Sequence, residues 1–232
     1  MKYKRIEKGI FLERVNRFVA IAEINGQIMK VHLKNTGRLK ELLISGTVAY
    51  FEKSGNPERK TAYDMIAIEN KTDGYPAQII NIDSNVANDV ASEWIIKCGL
   101  FSKAAKIKRE VRFGESRFDF YIEDKDERAF LEVKGVTLKK GNVAMFPDAP
   151  TERGVKHINE LIKAKKEGYK AYILFVIQMK GVDSFTANTA THKEFADALS
   201  MAKKQGVEIY ATDCAVTKDE IKPDNNIRVD IG

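Results

Sequence analysis

The spacing of apolar residues changes at Asp83, and that change limits the chain to two unlike architectures joined in series. Ahead of it the pattern is short and alternating: Phe18, Ala20, Ala22 and Ile24 against Val19, Ile21 and Glu23, then Asn25-Gly26, then Gln27–Leu33. Alternation with a period of two marks strands, and Asn-Gly between two such runs supplies the positive-φ pair of a tight hairpin turn. Thr36-Gly37 breaks the second strand, and Leu39–Ile44 suits one or two helical turns. Gly46–Lys53, Thr61–Glu69 and Gln78–Ile82 read as three more strands. Five strands with one short helical insertion predict an OB-like β-barrel over residues 1–82, with a sandwich as the alternative. The charged opening, Met1 to Glu7, leads directly into a strand-like segment and lacks a signal-peptide pattern, so the cytoplasm is the expected location.

Beyond Asp83 the period lengthens. Val86, Val90, Trp94 and Cys98 recur every four residues beside Ala87, Ala91 and Ile95, which predicts an amphipathic helix capped by Asp83 or Ser84 and stopped by Gly99. Strands follow at Ile107–Phe113, Arg117–Glu123 and Ala129–Thr137, then a loop to Pro150 and a helix over about Glu152–Glu167. Tyr172–Met179 is almost wholly apolar, as a strand covered on both faces must be. Lys193–Lys204 reads as a third helix and Val207–Thr212 as a last strand. Residues 83–232 therefore predict an α/β domain with a mixed central sheet.

The chemistry lies in the hairpin. In Arg117–Glu123 the residues Phe118, Phe120 and Ile122 should share one face, leaving Asp119 and Tyr121 on the other. In the return strand Glu132 and Lys134 point together, away from Leu131 and Val133. A turn centred near Asp126 sets Asp119 across from Glu132 or its neighbour, with Cβ atoms about 5 Å apart if directly opposed. Two carboxylates so close repel unless neutralised. A hard divalent cation such as Mg²⁺ or Mn²⁺ does this with carboxylate, water and phosphate oxygens. Lys134 would stand beside it as a positive charge for attacking water or phosphate. A solvent-facing hairpin with an ordinary Glu–Lys neighbour pair is the plainer reading of the same residues.

Composition excludes several classes. The 232 residues are 44% hydrophobic and 31% charged, which rules out wholesale disorder, and no apolar run is long enough to cross a bilayer. Two cysteines, Cys98 and Cys214, and three histidines are too few for a zinc cage, and the cysteines read as buried thiols. A net charge of +6 suits a polyanionic partner without requiring one.

The hairpin resembles the PD-(D/E)XK nuclease superfamily, whose Asp, Glu and Lys would map onto Asp119, Glu132 and Lys134. Phe118 stands where that superfamily's Pro would be. More specifically, the chain resembles the sugar fermentation stimulation protein A (SfsA) family. The matching stretches are 32–38 (HLKNTGR), 117–120 (RFDF), 132–138 (EVKGVTL), 146–154 (FPDAPTERG) and 156–161 (KHINEL), within a likeness running from about residue 10 to residue 217. The segment Thr186–His192 departs from the Asp-Pro loop expected there. The resemblance implies an OB-like barrel followed by an α/β PD-(D/E)XK nuclease-like domain, and DNA binding without strong sequence preference.

Further residues take their expected roles from this frame. Glu93, on the helix before the sheet, is either a further metal ligand or an exposed partner of Lys97. Arg153, Lys156 and His157 open the second helix, where they either grip phosphate or form a solvated basic face. Gln178 ends the long apolar strand, where related enzymes place a Gln near the scissile phosphate. In the barrel Arg14, Arg17, His32, Lys34 and Arg38 line an expected nucleic-acid groove. Three functions follow: a Mg²⁺- or Mn²⁺-dependent nuclease on single- or double-stranded DNA, a non-catalytic DNA-binding regulator of sugar (maltose) metabolism genes, and a role on RNA. Oligomeric state has no signature in the sequence.

Overall fold

A computed structural model describes residues 1–71 and 77–231. Six strands come first: β1 (Ile6–Arg14), β2 (Val19–Ile24), β3 (Gln27–Leu33), β4 (Val48–Lys53), β5 (Tyr63–Asn70) and β6 (Gln78–Asn81). β1 to β3 form an antiparallel meander whose tight turn places Asn25 and Gly26 at φ of 53° and 74°. β1 pairs on its other side with β4, and β4 with β5. A short parallel bridge, His32 opposite Asp64 and Leu33 opposite Met65, closes β1 to β5 into a barrel.

Closure uses strands partly different from those anticipated. Ile6–Arg14 supplies the first stave, and Gln78–Asn81 pairs with β5 outside the closed ring. β1 hides in the sequence because charged residues interrupt its alternation. Its Gly9 lets neighbours close in, since a Cβ there would meet Glu23 O at 2.3 Å and side-chain carbons of Ile24 and Phe51 at 3.1 Å. Leu39–Ile44 is a single tight turn, with the amides of Leu42 and Leu43 both donating to Leu39 O.

The second half runs α1 (Val86–Lys97), β7 (Lys106–Phe113), β8 (Ser116–Asp124), β9 (Glu127–Val136), β10 (Leu138–Lys140), β11 (Val143–Phe146), α2 (Glu152–Lys166), β12 (Lys170–Ile177), β13 (Ser184–Ala187), α3 (Lys193–Lys204), β14 (Glu208–Val216), β15 (Ile221–Asn226) and β16 (Arg228–Asp230). The main sheet has the order β15-β14-β12-β9-β8-β7. Its three central strands are parallel and its flanking strands antiparallel. β10, β11, β13 and β16 make a small second sheet that periodicity did not reveal, being three or four residues each.

α1 lays Val86, Val90, Trp94 and Ile95 on one face of the main sheet against Phe120, Leu131, Val133 and Leu174. α2 and α3 cover the other through Ile158, Leu161, Phe195 and Leu199, and this core is continuous with the barrel interior. The helix begins after Asn85, which makes no side-chain capping bond; Asp83 Oδ1 accepts the Asn85 amide at 2.9 Å, the capping contact expected of it. Gly99, at φ 76°, ends that helix region as expected. Thr151 caps α2, its hydroxyl accepting from the Gly154 amide at 3.0 Å.

Candidate active site

The β8–β9 ladder pairs Phe120 with Leu131, and one more step sets Asp119 opposite Glu132. Regular pairing stops there. One Asp119 oxygen accepts the Val133 amide at 2.8 Å, and the other accepts Asn88 Nδ2 from α1 at 2.9 Å. Across β7, Glu110 faces the same position with φ of 55°. This break reverses the strand's faces. Phe118 packs in the core under α2, whereas Phe120 and Ile122 pack under α1, so the expected single apolar face does not exist. The side chain of Asp119 replaces a ladder contact, and that is what turns β8 over.

Glu132, 3% exposed, points to the α2 side. Its Oε1 accepts from Lys134 Nζ at 2.6 Å and from His157 Nδ1. Arg153 Nε donates to His157 Nε2 at 3.3 Å, on the side of the ring away from Glu132. Glu132 Oε2 is buried and has no hydrogen-bond partner. Among the described residues Ser116 Oγ is the other buried side-chain atom in that condition. Burial, and then the nearby charge of Glu132, push the Asp119 carboxyl above its usual range against the pull of the Val133 amide and Asn88. For Glu132 burial acts in the same direction, but Lys134 and the His157 hydrogen bond outweigh it and hold the carboxyl low. The pair thus holds one strongly favoured negative charge beside a second carboxylate that resists ionising, and one open oxygen. No group of three or more His, Cys, Asp or Glu side chains stands ready as a metal cage among the described residues.

A groove of about 590 Å³ has Arg17 and Thr36 on the barrel side, Pro147–Arg153 opposite, and Gly135 and Gln178 between them; its lining includes neither carboxylate, and Arg153 connects it to them through His157. A larger cavity of about 750 Å³, lined by Glu41, Asn70, Thr137 and Lys139, includes neither carboxylate.

Residues 12–81 match the SfsA N-terminal OB domain, and residues 85–220 match the sugar fermentation stimulation protein RE domain. The chain belongs to the SfsA family. A sugar fermentation stimulation protein homolog of Ruminiclostridium cellulolyticum is 52% identical over 229 residues, covering 99% of each chain. One from Clostridium beijerinckii is 52% identical over 221 residues, covering 95% of this chain and 96% of its own. The solved structure of Pyrococcus furiosus SfsA in complex with Ca²⁺ superimposes with a TM-score of 0.87 at 34% identity, covering 100% of this chain and 98% of that one. The family and the order of its two folds are as the sequence resemblance implied. No described helix is long and apolar enough to cross a membrane.

Within this SfsA-type frame, several residues expected at the site lie elsewhere. Glu93 projects roughly 140° around α1 from Asn88. It binds the Met1 amino group, so it joins neither the carboxylate pair nor Lys97. His157 is buried on Glu132 rather than offered to phosphate, and Lys156 reaches Glu115 at 3.1 Å. Gln178 brackets the domain junction. Its Nε2 donates to Asn81 O, Asn81 Oδ1 and Asp83 O, and its Oε1 lies 2.5 Å from where a Cβ on Gly135 would be.

In the barrel, all five N–H donors of Arg14 go to the backbone carbonyls of Asn16, Arg17, Asn35, Gly37 and Arg38. Lys34 lies 3.3 Å from both Asp64 and Asp83, and His32 Nδ1 lies 3.0 Å from Asp64. These three build the barrel and its junction instead of lining a groove. Arg17, Arg38 and Arg153 remain exposed. The sequence reading missed Asn88, which orients Asp119, because its role depends on where α1 crosses the sheet. It also missed Asp148, which accepts the Arg38 amide at 2.8 Å.

Proposed function

We propose that this chain is a cytoplasmic DNA-binding protein whose sheet domain hydrolyses phosphodiester bonds with Mg²⁺ or Mn²⁺ held by Asp119 and Glu132. The observation that carries this is Glu132 Oε2, a buried carboxylate oxygen without a partner beside a second carboxylate. A buried acceptor left unmade costs stability, so an arrangement that retains one suits a ligand with hard positive charge. Two carboxylates with water and phosphate oxygens satisfy the preferences of Mg²⁺. The Ca²⁺ in the complex of the Pyrococcus furiosus relative supports a divalent site in the family. When bound, the cation would polarise the phosphate and acidify its water. Lys134, 2.6 Å from Glu132, supplies positive charge to the phosphate oxygens, and His157 and Arg153 hold Glu132 in place from behind. The presence of Asp119, Glu132 and Lys134 on one hairpin resembles the metal-binding set of a PD-(D/E)XK nuclease and supports this reading.

A second reading, a non-catalytic DNA-binding regulator of sugar metabolism genes, draws support from the absence of a third metal-ligating side chain among the described residues. Purified protein incubated with single- and double-stranded DNA and RNA in Mg²⁺ or Mn²⁺ separates the two. The nuclease reading expects metal-dependent cleavage that is lost in Glu132→Ala and in Lys134→Ala. Cleavage of no substrate by the wild type, or equal cleavage by both variants, sinks it.

A further inference from the structure

We propose that the ring of Phe18 is a stacking platform for an unpaired base, so that the groove between the barrel and α2 takes a single strand of nucleic acid in preference to a duplex. This rests on the nucleic-acid reading above and names the form of nucleic acid bound. By alternation Phe18 belongs with Ala20, Ala22 and Ile24, all buried, yet it lies in the β1–β2 turn with 52% of its surface exposed. Its backbone is firmly held there. Its amide donates to Asn16 Oδ1 at 2.8 Å, and its carbonyl accepts from the Leu33 amide at 2.8 Å. The same turn is tied to the 35–38 loop by the Arg14 guanidinium. An apolar ring presented on a rigid turn loses little conformational freedom when it is covered.

The surroundings select the occupant. The Arg17 guanidinium stands 5.9 Å from the centre of the Phe18 ring, and Arg17 also lines the groove. A cation beside an exposed aromatic is how proteins hold a strand without reading its sequence: the ring takes the base and the cation takes the adjoining phosphate. The turn between the first two strands is one of the places where OB barrels bind oligonucleotides. At the far wall of the groove Arg153 is linked through His157 to Glu132, so a strand stacked at Phe18 would be led toward the carboxylates. Two acidic groups share the groove wall: Asp148, which accepts the Arg38 amide, and Glu152, whose exposed side chain lies 3.4 Å from His192. A base inside a duplex has both faces covered by its neighbours, so away from the duplex ends only an unpaired base can offer one to Phe18.

Fluorescence anisotropy tests this with a labelled oligo(dT) and a blunt duplex of equal phosphate number, in EDTA so that cleavage plays no part. Phe18→Ala is expected to weaken single-strand binding about tenfold and to leave duplex binding within about twofold, the scale of one lost base stack. Phe18→Trp restores the affinity and Phe18→Leu does not, because leucine is apolar without a π face. A 2-aminopurine in the bound strand is quenched by the wild type and not by Phe18→Ala. Thermal melts of each variant report folding. Equal loss on both nucleic acids, no loss on either, or leucine performing as well as tryptophan overturns the platform. Cleavage by the wild type together with unchanged binding by Phe18→Ala removes the platform and leaves the nuclease reading standing. Selective loss in a protein that cleaves nothing does the reverse.

Discussion

The barrel and the sheet domain both hold charged groups away from bulk water, and they satisfy them in opposite ways. In the barrel every donor of Arg14 meets a carbonyl, and Asp64 is enclosed by Arg59, His32 and Lys34. In the sheet domain two carboxylates are brought together, one is pushed toward neutrality, and one oxygen is left without a partner. A saturated network builds a scaffold because it has nothing left to offer. An unsaturated one is costly unless something else completes it, which makes the carboxylate pair the functional candidate and the basic barrel residues its support.

The strongest attempt to break this contrast removes the open oxygen. Glu132→Gln should lower Mn²⁺-dependent cleavage by about 10²–10³-fold or more, with an unchanged far-UV spectrum. Unaltered Mn²⁺ affinity by calorimetry would show that the pair is not where metal binds. Next, Arg14→Ala should cost about 2–3 kcal/mol in urea unfolding, since several carbonyls lose a charged donor at once. Arg14→Lys should recover little, a lysine lacking the planar fork. A stable Arg14→Ala with a shallower salt dependence of DNA binding would instead make Arg14 a phosphate contact.

A smaller effect concerns Asp64. Burial alone would raise its pKa, but the Arg59 and His32 hydrogen bonds and the Lys34 charge lower it to about 2. A depressed carboxylate contributes stability above its unfolded pKa of 3.8 and loses it as pH falls through about 2. The stability gap between wild type and Asp64→Asn should therefore be full at pH 5 and close on acidification toward pH 2. It should be on the order of 1 kcal/mol once screening of the partly exposed Arg59 is allowed for. A gap independent of pH would remove the ionised carboxylate from the account. Smallest of all, Arg38→Ala should leave stability within about 0.5 kcal/mol, because Asp148 takes its backbone amide and not its side chain. It should reduce the slope of log affinity against log salt by roughly 0.9 if its guanidinium meets one phosphate.

Much of the fold can be read along the chain because its signals are local. Asn25-Gly26 makes its turn, the three helices occur where apolar periodicity places them, and most of Tyr172–Met179 lies in the covered strand β12, which ends at Ile177. The hairpin register up to Phe120 opposite Leu131, one step short of the two carboxylates, follows from one turn, with Lys125 at φ 54° in it. The inversion of β8 at Asp119 was not readable, since alternation assumes an unbroken ladder and a side chain interrupts this one. Phe18 shows the same limit, continuing an inward pattern in sequence while lying outside in space.

What the sequence determined by itself is the inventory: two folds in order, and a hairpin that carries Asp119, Glu132 and Lys134. What only the tertiary structure decided is which charged groups are already satisfied. Lys34 meets Asp83 across 49 residues, Glu132 meets His157 across 25, and Gln178 meets Asn81 across 97. Hydrogen-bond saturation is a property of the packed neighbourhood, so a residue's type announces what it can bind, and only its distant partners settle whether any capacity remains.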